Sequence, residues 1–241
     1  VNALRQKSPL ENAALLEEIR PGRTTSRLLA ASAEIWAEYL RHPFVQGIGS
    51  GDLDQEKFRF YMLQDYVYLF DYARVFALGT AKAKDGEDMR YFAQAVKETL
   101  DGEMEIHRAY MKRLGITPEE AERTVPSLDN LSYTSYMIRI AYEEGAGEIA
   151  AAILSCALSY EVIAKDILHS NPQADRHPFY GEWVQGYTSE GYHDGNQDLI
   201  ALTEKLTKDY TEEQLQHLEE IFVNCSRYES LFWDMAWEMR L

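Results

Sequence analysis

The sequence predicts an all-α fold, a single-domain helical bundle. Apolar residues recur at intervals of three and four along most of the chain, and period-two alternation is nearly absent. Pro, Gly and capping residues divide the periodic stretches into pieces of helical length. With 241 residues, 46% of them hydrophobic, the chain is long enough to bury a sizeable core. No 20–50-residue repeat, low-complexity tract or composition break marks an internal boundary, so residues 24–241 read as one domain.

Residues 1–23 carry Pro9, Pro21 and Gly22 around a short amphipathic piece, Leu10 to Ile19. They read as an N-terminal extension that packs loosely or serves contacts between subunits. Ser26 is placed as the cap of a helix to about Leu40, with Leu28, Leu29, Ile35, Trp36 and Tyr39 on its apolar side. His42-Pro43 ends it. Gly47-Ile48-Gly49-Ser50-Gly51 reads as a turn. Asp54 opens a long helix to about Lys84, and Asp85 or Asp88 opens another to about Leu114. Gly115 stops that one, and Thr117-Pro118-Glu119-Glu120 is a fresh start signal. Further helices are expected at about 130–143, 146–169, 178–190, 194–207 and 211–239, with Asn171-Pro172 and His177-Pro178 punctuating the connection at 169–178.

Asp and Glu number 40 against 24 Lys and Arg, a formal charge of -16 with no basic run. Nucleic-acid phosphates and anionic membranes both need clustered cations, so neither is an expected partner. No signal segment opens the chain, and no apolar run is read as long enough to span a bilayer. The two cysteines, Cys156 and Cys225, make no disulfide framework. A cytoplasmic protein with reduced thiols is the expectation.

The chemistry shows where polar groups interrupt apolar stripes. Asp65 lies on the face Phe58, Tyr61, Met62, Leu69, Tyr72, Phe76, where a buried carboxylate needs a partner or a ligand. Glu229 repeats the anomaly among Leu215, Leu218, Phe222, Cys225, Phe232 and Ala236. Cys156 shares the stripe Ile149, Ile153, Tyr160, Ile163, Ile167, where a free Cys also packs as a small hydrophobe. Tyr133 lies on the stripe Tyr136, Met137, Ile140. Two carboxylates, a thiol and several phenols on different helices suit an inward-facing site for a flat heterocycle. Glu103 and His107, four apart, read either as metal ligands or as an ordinary helix-face pair. Asp166-x-x-His169 and Glu190-x-x-His193 have the carboxylate-x-x-His spacing of di-iron bundles, but the first sits at a helix end and the second in a Gly-flanked segment. No metal site and no cofactor is expected. A Ser-His-Asp triad has no support, and there is no Gly-rich phosphate loop.

These residues fall in an ordered set of stretches: His42-Pro43-Phe44-Val45-Gln46-Gly47-Ile48-Gly49; Tyr61-x-x-Gln64-Asp65-x-x-Tyr68-Leu69; Glu105-x-His107; Ser132-Tyr133-Thr134-Ser135-Tyr136-Met137; Cys156-x-x-x-Tyr160-Glu161-Val162; and Tyr228-Glu229-x-x-Phe232-Trp233-Asp234-Met235-Ala236. In this order, from about residue 24 to the end, the chain resembles the TenA (thiaminase II) family. The resemblance implies a haem-oxygenase-like bundle that binds no haem, a homotetramer, and hydrolysis of 4-amino-5-aminomethyl-2-methylpyrimidine to the hydroxymethyl pyrimidine in thiamin salvage. Thiamin itself is a second substrate of many members. By position, Cys156 matches the nucleophile of the Cys-containing branch and Glu229 the acid/base. Asp65 matches the carboxylate on the pyrimidine, Tyr68 and Phe232 the ring-stacking pair, and Tyr133, Tyr160 and Tyr187 the polar tyrosines.

The residue types suit that reaction. A thiolate adding to the electron-poor pyrimidine breaks its aromaticity and lets the ring expel the exocyclic leaving group, and Cys is far more nucleophilic than Ser near neutral pH. A carboxylic acid such as Glu229 supplies the proton an amine needs to depart. Two rival readings use the same bundle: a non-catalytic pyrimidine sensor, and a metal-dependent oxidase with Glu103, His107 and His169 as ligands.

Overall fold

A computed structural model describes residues 15–241, and among them the chain is helical throughout, with no strand. Sequence signals set most helix ends. α1 (Arg23–Arg41) stops at His42, whose extended backbone precedes Pro43. The same residue caps α2 (Pro43–Ser50), its Nδ1 accepting from the Phe44 N–H at 3.2 Å. α3 (Gln55–Lys82) is capped by Asp54 and α4 (Gly86–Lys97) by Asp85, as expected. α5 (Met104–Arg113) and the short α6 (Pro118–Arg123), capped by Thr117, follow. α7 (Leu128–Glu143) starts at a Ser127 cap. Then come α8 (Ala146–Ser170), α9 (Gly181–Thr188), α10 (Glu190–Thr207) capped by Ser189, and α11 (Glu212–Glu238), opened by a Thr211–Gln214 capping box.

Several features differ from expectation. Ser26 does not cap α1, which starts three residues earlier with Gly22 in the capping position. The Gly-flanked segment at 190–193 is the first turn of α10, not a connection before it. The Gly47–Gly51 stretch is mostly helix, and only Gly51 turns, with φ at +82°. Gly47 gives the close approach that α2 needs, because a Cβ there would meet the Leu53 Cβ at 2.9 Å. The single helix expected to about Leu114 is broken by a π-helical segment, Glu98–Glu103. Finally, α8 is long and apolar enough by composition to cross a membrane, contrary to the sequence reading. Its apolar stretch is 83% buried inside the bundle, so its hydropathy serves the core.

α8 is the central helix, contacted by α1, α2, α3, α7, α9, α10 and α11. Ile149, Ala150, Ala151, Ala152, Ile153, Leu154, Leu158 and Ile163 on it have no exposed surface. Of the expected extension, residues 1–14 lie outside the described residues. Residues 15–19 send Leu15 and Ile19 into the core.

α10 is tied to α8 by a buried carboxylate. Glu161 on α8 accepts from Asn196 Nδ2 at 2.6 Å, pairs with Lys165 at 2.7 Å, and meets His193 Nδ1 at 2.6 Å. Burial works to raise its pKa, but these partners, Lys165 foremost, hold it below the usual range. Alongside, the Tyr192 hydroxyl donates to the Ala157 carbonyl at 2.9 Å. The wall formed by the start of α10 is thereby fixed to the turn of α8 that carries Cys156.

Candidate active site

A cavity of about 470 Å³ opens between α3, the α4–π–α5 rod, α8 and the α9–α10 corner. Its inner part is lined by Asp65, Tyr68, Tyr72, His107 and Tyr160, all buried. Cys156 and Tyr187 lie on the wall, and Glu98, Gly102, Ile106, Ser189, Gly191 and Gly195 form an exposed rim. Five of the eight sequence-expected residues therefore face one space: Asp65, Tyr68, Cys156, Tyr160 and Tyr187. The other three, Tyr133, Glu229 and Phe232, are buried behind Tyr68, which packs on Tyr133 at 5.3 Å and edge-on to Phe232 at 5.7 Å between centroids. Tyr68 and Phe232 touch one another at an interplanar angle of 67° and leave no parallel slot between them.

The partner that Asp65 required is His107, from α5. Its Nε2 lies 2.5 Å from Asp65 Oδ2, and its Nδ1 lies 3.0 Å from the Glu103 carbonyl. A carbonyl only accepts, so Nδ1 carries a hydrogen, and one further proton lies between Nε2 and Oδ2. Burial lowers the pKa of His107, but the Asp65 carboxylate outweighs it and raises the value above the ordinary 6.5. The pair shares that proton between the ring and the carboxyl group. Oδ2 is committed, which leaves Oδ1 for a ligand's N–H.

Tyr160 is oriented as a donor. Trp183 Nε1 donates to the Tyr61 hydroxyl at 3.4 Å, and that hydroxyl donates to the Tyr160 oxygen at 3.3 Å. The proton of Tyr160 itself remains for the cavity. The Tyr160 and Tyr187 rings stand 4.8 Å apart, and Tyr68 stacks on Tyr72 at 5.6 Å. The result is an aromatic wall with polar tips.

The Cys156 thiol is held well above its usual range, first by burial, then by the Glu229 charge, with Glu103 and Asp65 adding and Tyr68 opposing. In the resting chain Cys156 is therefore a thiol. Burial pushes the Glu229 carboxyl up to about 8, with Tyr133 opposing and Asp65 adding. Glu229 and Tyr133 are buried together, close enough for the phenol to draw the carboxyl down, while Glu229 Oε2 itself makes no hydrogen bond among the described residues.

Glu103 lines the cavity from the π segment, where a wider turn replaces the α-helical one. Burial raises its carboxyl to about 7, His107 opposing and Asp65 adding. The oxidase grouping of Glu103, His107 and His169 does not assemble. Both ring nitrogens of His107 are engaged, and His169 is exposed at the end of α8 with its Nδ1 on the Lys165 carbonyl. His193, the other histidine with di-iron spacing, is bound to Glu161. A surface trio that could hold a cation, Asp85, Glu87 and Asp88, already surrounds the Lys205 ammonium. Sequence reasoning singled out Tyr72 only as a stripe residue, and did not place Tyr91, Glu98 or Tyr192 in the site; each now lines the cavity.

Comparison with known proteins places the fold and the family. The curated aminopyrimidine aminohydrolase of Helicobacter pylori is 46% identical over 204 residues, covering 85% of this chain and 94% of that protein. Among solved structures, a TenA homologue from P. horikoshii OT3 superposes with a TM-score of 0.82 at 31% identity, covering 90% of this chain and 99% of that one. A domain of unknown function from Shewanella denitrificans, described as having a heme oxygenase-like fold, shares the architecture alone, with a TM-score of 0.68 at 15% identity, covering 89% of this chain and 92% of its own. The sequence profile of the TENA/THI-4/PQQC family matches residues 29–239, and the chain belongs to that family.

Proposed function

We propose that the chain is a hydrolase of thiamin-related aminopyrimidines, acting on 4-amino-5-aminomethyl-2-methylpyrimidine and on thiamin. The observation that supports this best is the meeting of Cys156 with the Asp65–His107 pair in one aromatic-walled cavity. A flat ring bearing an amino group fits that wall, and Asp65 Oδ1 accepts from the amino N–H. Cys156 Sγ then bonds to the ring carbon, and the ring expels the group on its exocyclic methylene. Glu229, protonated near neutral pH, gives a proton to an amine that binds uncharged and takes up the one Cys156 loses; a leaving group that is already a cation departs without that proton, and the Cys156 proton passes to the ring nitrogen made basic by the addition. Water adds to the methylene, and the thiol is regenerated. Tyr160, as a donor, orients the ring. Tyr133 and Phe232 support the site from behind Tyr68.

On the same reading the chain works in thiamin salvage, in the cytoplasm, as a homotetramer without nucleic-acid or membrane partners. The decisive experiment is incubation with both substrates, following release of ammonia and of the thiazole, beside the Cys156→Ser variant. Turnover lost in that variant supports the scheme. Pyrimidine binding without turnover in the wild type would favour a sensor instead. Sedimentation tests the tetramer.

A further inference from the structure

Beyond the pyrimidine end, the cavity holds an acidic side chain, Glu103, to which the scheme assigns no task. Glu103 lines it, and among the described residues its carboxylate has no hydrogen bond or ion pair; only its backbone carbonyl is used, by His107. Glu103 is four residues, one helical turn, from His107, which grips the deep carboxylate Asp65. On the other side it adjoins the rim residues Glu98 and Gly102. In a ring whose 4-amino group is held at Asp65, the exocyclic methylene on the adjacent carbon extends beside Asp65 into the remaining space, on the side where Glu103 lines the cavity.

We propose that Glu103 is a specificity-determining residue that holds the positive charge of the leaving group, an ammonium or a thiazolium. This inference rests on the function proposed above and deepens it by naming the substrate class: aminopyrimidines whose leaving group is cationic. The surroundings favour a cation. The carboxylates of Glu98, Glu103 and Asp65 line the cavity, with the tyrosines Tyr72, Tyr91, Tyr187 and Tyr192 and the thiol of Cys156. His107 is the one basic side chain on the lining, and Asp65 engages it. Gly191 and Gly195 on the rim have open space where a Cβ would stand, so the mouth admits a bulky group.

The chemistry fixes what kind of help this is. An ammonium leaves as ammonia and a thiazolium as neutral thiazole, each taking the electron pair of the broken bond. The charge facing Glu103 therefore disappears as the bond breaks. Glu103 favours the bound substrate over the transition state, so it lowers KM without raising kcat.

The test is equilibrium binding of two probes, the cationic 5-aminomethyl and the neutral 5-hydroxymethyl pyrimidine, to Cys156→Ser, which does not turn the first over, with and without Glu103→Gln, followed by steady-state kinetics of the wild type and of Glu103→Gln alone. A lost charge-assisted contact is worth roughly a 10–100-fold loss in affinity. We expect that loss for the cationic probe and less than about 3-fold for the neutral one, with KM raised and kcat unchanged or slightly higher. Equal loss for both probes would make Glu103 structural and overturn the proposal, as would equal binding to both proteins. A fall in kcat at constant KM would move Glu103 into the chemistry and overturn it too. If Cys156→Ser bound neither probe and the wild type turned neither substrate over, the pyrimidine reading itself would fall, and this inference with it. Neutral-probe binding by the variant doubles as the check that it folds.

Discussion

Replacing Glu229 by Gln should make the chain more stable as pH rises, relative to the wild type, while removing its acid. Burial holds the Glu229 carboxyl at about 8 in the folded chain, against an ordinary 4.5. Below pH 4.5 the folded and unfolded chains both keep the proton, and ionisation costs nothing. Between 4.5 and 8 the unfolded carboxyl ionises and the folded one does not, so stability falls as pH rises, and the loss is complete above 8. At about 1.4 kcal/mol per pH unit, the whole span is about 5 kcal/mol; less than about 1 kcal/mol has been lost at pH 5 and about 3 kcal/mol at pH 7. Gln does not titrate and escapes this loss. Its own cost, a buried amide group where Oε2 already lacks a partner, is roughly 1–3 kcal/mol and independent of pH. The quantity to measure is therefore the change with pH, by urea unfolding of both proteins at pH 5 and pH 7. The difference should swing toward the variant by about 2–3 kcal/mol, or about 4–12 °C in Tm for a chain of this size. Parallel pH dependence of the two proteins would refute the claim that Glu229 is buried as a neutral acid.

Cys156→Ser should abolish nearly all turnover with the fold intact, whereas Cys225→Ser, buried and outside the cavity, should cost only stability; turnover by the first variant sinks the covalent route. Because the resting thiol is held protonated, Cys156 should react with iodoacetamide at pH 7 more slowly than free cysteine, and equal rates would contradict the site's electrostatics. Asp65→Asn and His107→Gln should each weaken pyrimidine binding by about 1–3 kcal/mol, and analogues lacking the amino group should show little difference between wild type and Asp65→Asn. Glu161→Gln should lose stability at pH 7 by about 1–3 kcal/mol. Because its folded pKa lies below the ordinary 4.5, the wild type's advantage should be present above that pH and fade as pH falls below it; an advantage that persists in acid would argue for shape rather than charge.

The bundle was legible in the sequence because its determinants are local. Asp54, Asp85 and Thr117 cap where capping rules put them, and the stripe through Asp65 describes the buried face of α3. Two misreadings come from contacts that are not local. Glycines at 47–51 signal a turn when read alone, but Gly47 is helical so that Leu53 can pack against it. The π segment has no signature in the side-chain pattern, because Ala95, Thr99, Glu103 and His107 keep a spacing of four across it.

For the site, a polar residue on an apolar stripe announced that something was needed but not what. Asp65 and Glu229 carried the same signal and stand in different electrostatic situations. Asp65 found its partner 42 residues away, on a helix whose orientation no local pattern encodes, and shares a proton with His107 there. Glu229 found none for Oε2 and is pushed toward the neutral acid. That divergence separates an orienting group from a proton donor. It also bears on the resting state of Cys156: burial foremost, with the acidic side chains around it, opposes a negative sulfur, and a positive charge entering the cavity would favour the thiolate. Substrate that is itself cationic meets that condition. An equally sized neutral pyrimidine should leave the iodoacetamide rate at Cys156 unchanged or slower, by steric protection alone. A cationic analogue that leaves the sulfur uncovered should raise it, and the same slow rate with both would detach the thiol's ionisation from the charge in the cavity.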